Sequence, residues 1–256
     1  MAKKLTIIFG GSVDFYHSYL WIFGRMEKRN KWKFRRVEPE KFISKINGID
    51  VEVFFCLNPI QDKNYDNLKE WLETGFKNIM PLPTDQLIKK IKPKNPVLFL
   101  GLCGAFKGKK YDIHIPEEFS EVFFKGETIN HKHVLKVKPK NRIKIKNVLS
   151  KKIKGKPGRM VTSNLTLAPA NIHRKSKSTL VKLAEVLSQH GECVDKETYQ
   201  IAKHLGKKVP LGIFLVVSDV LSIKKHMLDV IRFKVDANKL SKHFTNAIKT
   251  MVKLIK

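Results

Sequence analysis

Apolar runs of strand length alternate with stretches of helical spacing along the chain. Leu5-Thr6-Ile7-Ile8-Phe9 reads as a buried strand; it turns at Gly10-Gly11-Ser12 into an apolar-rich segment from Val13 to Phe23. Val51 to Leu57 is a second strand, broken by Asn58-Pro59, and the spacing of Leu68, Trp71, Leu72 and Phe76 predicts a helix after it. Thr84 to Ile91 predicts a short amphipathic helix capped by Thr84 or Asp85. Val97 to Ala105 is the cleanest buried strand, and it runs into small residues at Gly101 and Gly104.

Further on, Asp112 to Pro116 and Val134 to Ile145 alternate as solvent-facing strands do, with Lys136, Lys138, Lys140 and Lys144 on one face. A basic Gly/Pro loop from Lys151 to Gly158 leads into a short strand, Arg159 to Asn164. Leu180, Leu183, Ala184 and Leu187 predict a helix over Ser178 to Gln189, which delivers Glu197 and its neighbours to the strand Val209 to Asp219. Ala237 to Ile255 predicts a Lys-rich terminal helix. The alternation, without internal repeat or linker, predicts an α/β fold: one domain over residues 1–256, with a central, mostly parallel or mixed twisted sheet flanked by helices.

The formal net charge is +28, from 51 Lys+Arg against 23 Asp+Glu, so the surface attracts anions of every kind. Most of that charge is Lys, whereas Arg is the residue suited to bidentate phosphate recognition, so much of it reads as compositional bias and nucleic acid is not the favoured partner. Arg25 to Arg36, a basic run interleaved with Trp32 and Phe34, reads either as a phosphate-gripping surface or as a solvated face beside an interface. Cys56, Cys103 and Cys193 lie far apart without metal spacing, which points to reduced thiols. With no signal peptide and no membrane-length apolar run, the expected setting is soluble and cytoplasmic, and no metal or cofactor is called for.

The candidate chemistry lies at strand ends. Gly10-Gly11-Ser12 matches neither the Rossmann fingerprint nor the P-loop, and a tight turn with a Ser N-cap accounts for it. Asp219 ends the strand Val209 to Asp219, where ligands of open α/β sheets bind, and Glu197 is brought near it. Two carboxylates at one cleft divide roles when burial separates their pKa values. Equally, Asp219 caps the next segment and Glu197 is a solvated helix residue.

Three ordered blocks resemble the nucleoside phosphorylase and nucleosidase superfamily, and within it the AMP nucleosidases. They are Pro96 to Phe106 with Asp112 to Pro116, then Gly158 to Asn164, and finally Val194-Asp195-Lys196-Glu197-Thr198 with Val209-Pro210-Leu211-Gly212 through Ser218-Asp219. The resemblance implies a purine nucleoside or nucleotide N-glycosidase working through an oxocarbenium-like transition state. It makes Asp219, of the Ser218-Asp219 pair, the acid or hydrogen-bond partner at purine N7, and Glu197 the ribose anchor. Gly101, Cys103, Gly104 and Ala105 then line the nucleoside site, and Thr162, Ser163 and Asn164 edge the base pocket. Lys196 stands where the family has a methionine against the ribose. Cys56-Leu57-Asn58-Pro59-Ile60 stands where the family has a glycine-rich loop, which favours hydrolysis over phosphorolysis. A purine nucleoside phosphorylase and a non-catalytic nucleotide- or nucleic-acid-binding relic of the fold are the alternatives. The resemblance also implies a homo-oligomer, with Arg25 to Arg36 as the candidate edge.

Overall fold

The computed structural model describes residues 3–10, 16–38, 41–57, 82–122, 139, 141–163, 184–220 and 236–256. In chain order its elements begin with β1 (Lys4–Gly10), α1 (Tyr16–Asn30), β2 (Arg35–Glu38), β3 (Lys41–Ile46), β4 (Ile49–Leu57) and β5 (Leu82–Pro83). Next come α2 (Thr84–Ile91), β6 (Val97–Ala105), β7 (Ile113–His114), β8 (Glu118–Val122), β9 (Asn141–Lys144) and β10 (Arg159–Ser163). The chain finishes with β11 (Cys193–Asp195), α3 (Thr198–Leu205), β12 (Leu211–Val220) and α4 (Ala237–Ile255).

Among the described residues, the strands form one mixed twelve-stranded sheet. Its centre is parallel, with β4 beside β1, β1 beside β6, and β6 beside β12. These strands are apolar on both faces because both faces are covered. Leu5, Ile7, Phe9, Val51, Val53, Phe55, Leu98, Leu100 and Phe214 face one way, onto Ile22, Phe23 and Met26 of α1 and Leu240, Phe244, Ile248 and Met251 of α4. Ile8, Phe54, Cys56, Phe99, Cys103, Ile213 and Leu215 face the other way, onto Leu87 and Ile88 of α2 and Tyr199, Ile201 and Leu205 of α3. Each such buried side chain contributes about 1.5–3 kcal/mol of transfer free energy. The expected α/β domain, a central sheet flanked by helices, is therefore present.

One feature of the sheet creates a site. Along one edge, β6 pairs with β1 as far as Gly101, then with antiparallel β11 at Gly104 and Ala105. Its other edge stays with β12 throughout, with a register irregularity between Val217 and Asp219. The sheet thus forks at the carboxyl end of β6, and β11 continues through β10 and β8 to β9.

Several elements differ from expectation. The antiparallel pair β2 and β3 was not anticipated, since all four residues of β2 are exposed and give no apolar period. β8 was also missed; it is short and carries Glu118 and Glu121. Glu197 is not presented by the end of a preceding helix: a helical segment at 184–188 is followed by β11, and Glu197 occupies the N-cap of α3. Neither Thr84 nor Asp85 caps α2; Pro83 holds the N-cap position without a side-chain hydrogen bond. The expected helix up to Phe76, the Gly11-Ser12 turn, Lys136, Lys138 and Lys140, and the first half of the helix expected from Ser178 lie outside the described residues.

Candidate active site

Gly104 is the hub of the fork. Val194 pairs with it from β11 and Asp219 pairs with it from β12, so the 194–197 turn and Asp219 flank the same strand end. The irregularity before Asp219 arises where Ser218 is tucked into the sheet, 5% exposed. Ser218 Oγ lies 2.5 Å from Asp219 Oδ1 and 3.2 Å from the Cys103 carbonyl oxygen, so its single proton serves two acceptors. Burial pushes the Asp219 carboxyl above the ordinary carboxylate range, while the Ser218 hydroxyl and the Lys110 charge pull it back.

On the other side of Gly104, Asp195 organises the turn. Its Oδ1 accepts from Thr162 Oγ1 and from Thr198 Oγ1, each at 2.8 Å, and its Oδ2 accepts from the Thr198 N–H at 3.0 Å. This is an Asx-type bracket at the start of α3. Burial raises the Asp195 carboxyl to about 6 against the pull of those donors and of the Glu197 N–H. Thr162 also accepts the Tyr199 N–H at 2.9 Å, which ties β10 to the first turn of α3. Glu197 is 4% exposed, and its charge adds to burial in raising the Cys56 thiol at the end of β4. Lys196, between the two acids, is partly exposed.

Gly101 is required by packing: an added Cβ would stand 2.9 Å from Phe99 Cε1 and 3.0 Å from Leu215 Cδ2. Cys103 and Ala105 are buried on the face that α3 covers. Cys103 and Cys193 interact on neighbouring strands: the Cys103 thiol and His114 lower the Cys193 thiol to about 6, while the Cys193 thiol and burial raise that of Cys103. Among the described residues, no group of three or more His, Cys, Asp or Glu is placed to hold a metal ion, and no helix is long and apolar enough to cross a membrane.

No protein-family model matches the sequence, and no curated protein matches it. Solved structures match the fold over nearly its whole length. The 5′-methylthioadenosine/S-adenosylhomocysteine nucleosidase of Campylobacter jejuni is 14% identical at a TM-score of 0.55, covering 99% of this chain and 100% of that one. The futalosine hydrolase of Helicobacter pylori is 16% identical at a TM-score of 0.57, covering 99% of each chain. A Chlamydia trachomatis nucleosidase of the first kind is 11% identical at a TM-score of 0.55, covering 99% and 100%. The chain has the nucleosidase fold.

Within that nucleosidase fold, the residues singled out from sequence fall into two groups. Gly104, Ser218 and Asp219 gather at the strand end with Lys196 and Glu197 beyond the paired Val194, and Cys103 joins them through its carbonyl. Thr162 and Ser163 end the outer strand β10, where the Thr162 hydroxyl is committed to Asp195 and Tyr199. Asn164 lies outside the described residues. Sequence reasoning passed over Asp195, although an aspartate three residues before the first helical residue is an N-terminal bracket signal. It also passed over Lys110, whose charge acts on Asp219 and which no local pattern connects to it.

Proposed function

We propose that this protein is a purine N-glycosidase that hydrolyses the bond between a purine base and C1′ of a ribosyl group. The carrying observation is Asp219, a partly buried carboxyl with a raised pKa at the end of a central strand, hydrogen-bonded to Ser218. A carboxyl whose pKa burial raises above the ordinary carboxylate range is suited to donate to purine N7 as the C1′–N9 bond breaks. The base leaves with that proton, water supplies the oxygen at C1′, and its remaining proton returns to the carboxylate or to solvent. Glu197, buried beside the same strand end, accepts hydrogen bonds from the ribose hydroxyls and offers negative charge to the oxocarbenium-like transition state. The backbone of Gly101 to Ala105 lines the nucleoside site, with Thr162 and Ser163 toward the base, and Asn164, which follows them in sequence, belongs to the same proposal.

The general basic surface suits a nucleotide such as AMP, and the proteins sharing the fold act on 5′-methylthioadenosine, S-adenosylhomocysteine and futalosine. A homo-oligomer, in which a neighbour completes the site, belongs to the same proposal. The test incubates purified protein with AMP, adenosine, methylthioadenosine and futalosine, with and without phosphate, and measures free base by chromatography. Base release independent of phosphate supports the hydrolase. Release only with phosphate makes it a phosphorylase, and release from none of them overturns the enzymatic reading.

A further inference from the structure

We propose that the sheet edge formed by the end of α1 and strand β2 binds the phosphodiester backbone of nucleic acid. This inference stands apart from the glycosidase reading and from its site. The chain has eight arginines, and four of them, Arg25, Arg29, Arg35 and Arg36, fall within twelve residues. The lysine excess is general along the chain, so it cannot explain a concentration of the scarcer cation. Arg presents a planar fork that matches phosphate oxygens. Between residues 25 and 36 there are seven cations and one carboxylate, Glu27, whose Oε1 already accepts the Phe34 N–H at 2.9 Å.

The fold turns this run outward. Lys31, Lys33 and Arg35 are exposed, while Trp32 and Phe34 between them pack against the core. Arg29 stands in the last turn of α1, Lys31 in the turn that follows with φ 55°, Lys33 on the approach to β2 and Arg35 at its start, so the four cations follow one another from the helix end into the edge strand. Arg29, Lys31, Lys33 and Arg35 have no carboxylate partner among the described residues. Lys33 and Arg35 of this run also line a cleft of about 490 Å³, together with Lys4, Ser44 and Lys45. Its acidic members are taken: Glu52 by Lys4 at 2.9 Å and Lys41 at 2.8 Å, and Asp50 by Lys45 at 4.0 Å. The Ser44 hydroxyl is buried with no hydrogen-bond partner among the described residues, and so has a donor to spare. The cleft opens at the amino ends of β1 and β4, away from the fork at the carboxyl end of β6.

Charge also decides the kind of partner. A two-fold contact through this face would set the same cations against themselves, which disfavours a second copy of the chain. The partner that answers a row of closely spaced cations is a row of closely spaced phosphates.

The experiment measures binding of a fluorescein-labelled 20-nucleotide single-stranded RNA, and of DNA of the same sequence as single strand and duplex, by anisotropy with the full chain. Four phosphate contacts predict an affinity that falls about 50-fold for a single strand between 50 and 200 mM KCl. The variant Arg29→Glu/Lys31→Glu/Lys33→Glu/Arg35→Glu should bind at least tenfold more weakly than wild type. The charge-matched control, Lys146→Glu/Lys151→Glu/Lys152→Glu/Lys154→Glu, also replaces exposed residues only and should lose less than threefold. Matching thermal melts of the two variants establish that both fold. Equal losses in the two variants would mean binding by net charge alone and overturn the proposal. It also fails if no probe binds at 50 mM KCl, or if phosphatidylserine vesicles, co-sedimented at matched charge, bind more tightly than the nucleic acids.

Discussion

Thr162 donates its hydroxyl to Asp195 across the β10–β11 pair at 2.8 Å while accepting the N–H of Tyr199 at 2.9 Å. The two side chains lock the turn that carries Lys196 and Glu197, and Thr162 is 4% exposed, so water does not replace a lost bond easily. Thr162→Val keeps the shape and removes both bonds. It should destabilise the protein by about 1–3 kcal/mol, because a buried donor and acceptor are left without partners. Thr162→Ser should retain most of the stability. Urea midpoints of the three proteins check this.

Asp195 makes stability depend on pH in a defined direction. Its folded pKa of about 6 lies above its ordinary value of 3.8, so the folded state binds its proton more tightly than the unfolded chain does. The contribution is fully present below pH 4 and is lost as pH rises toward and through 6. Histidines 190, 204 and 243, whose pKa values burial lowers, act in the opposite sense as pH falls through their range. The wild type minus Asp195→Asn difference isolates the aspartate: wild type should lose stability relative to the variant between pH 4 and pH 7, by up to about 3 kcal/mol. A flat difference would show that the carboxyl is not held in the protonated form.

Asp219→Asn should reduce base release by about 10²- to 10⁴-fold, as expected for loss of a general acid, with little change in thermal stability. In the wild type, kcat/KM should fall as pH rises through a pKa above the ordinary carboxylate range, because the protonated acid is the active form. Ser218→Ala removes a donor that stabilises the ionised carboxylate, so that descending limb should move to higher pH. Full activity in Asp219→Asn, or a limb unmoved in Ser218→Ala, would remove Asp219 from the chemistry.

Two glycines should respond in opposite ways. Gly24 lies within α1 with nothing within 4 Å of an added Cβ, so Gly24→Ala should stabilise by about 0.5–1 kcal/mol through helix propensity and unfolded-state entropy. Gly10, at the end of β1, would place its Cβ against the Phe99 ring, 2.6 Å from Cε2. Gly10→Ala should therefore cost about 1–3 kcal/mol by overpacking. Thermal melts of both variants distinguish these outcomes.

The sequence by itself determined the central strands, because β1, β4, β6 and β12 are apolar on both faces and bounded by glycine, proline or a polar residue. It also determined α4, whose apolar positions keep a helical period over nineteen residues, and it marked Ser218-Asp219 as a strand end. Local pattern did not show β2, whose side chains all face solvent, or the place of Glu197 at the head of α3. Only the tertiary structure decided that β6 changes partners between Gly101 and Gly104, bringing Val194 and Asp219 to one residue from opposite edges. It likewise decided that Lys110 stands near Asp219 and that Thr162 serves the Asp195 bracket. The physical reason is that side-chain period records burial of a segment, whereas strand partnership and charge proximity depend on residues tens of positions away.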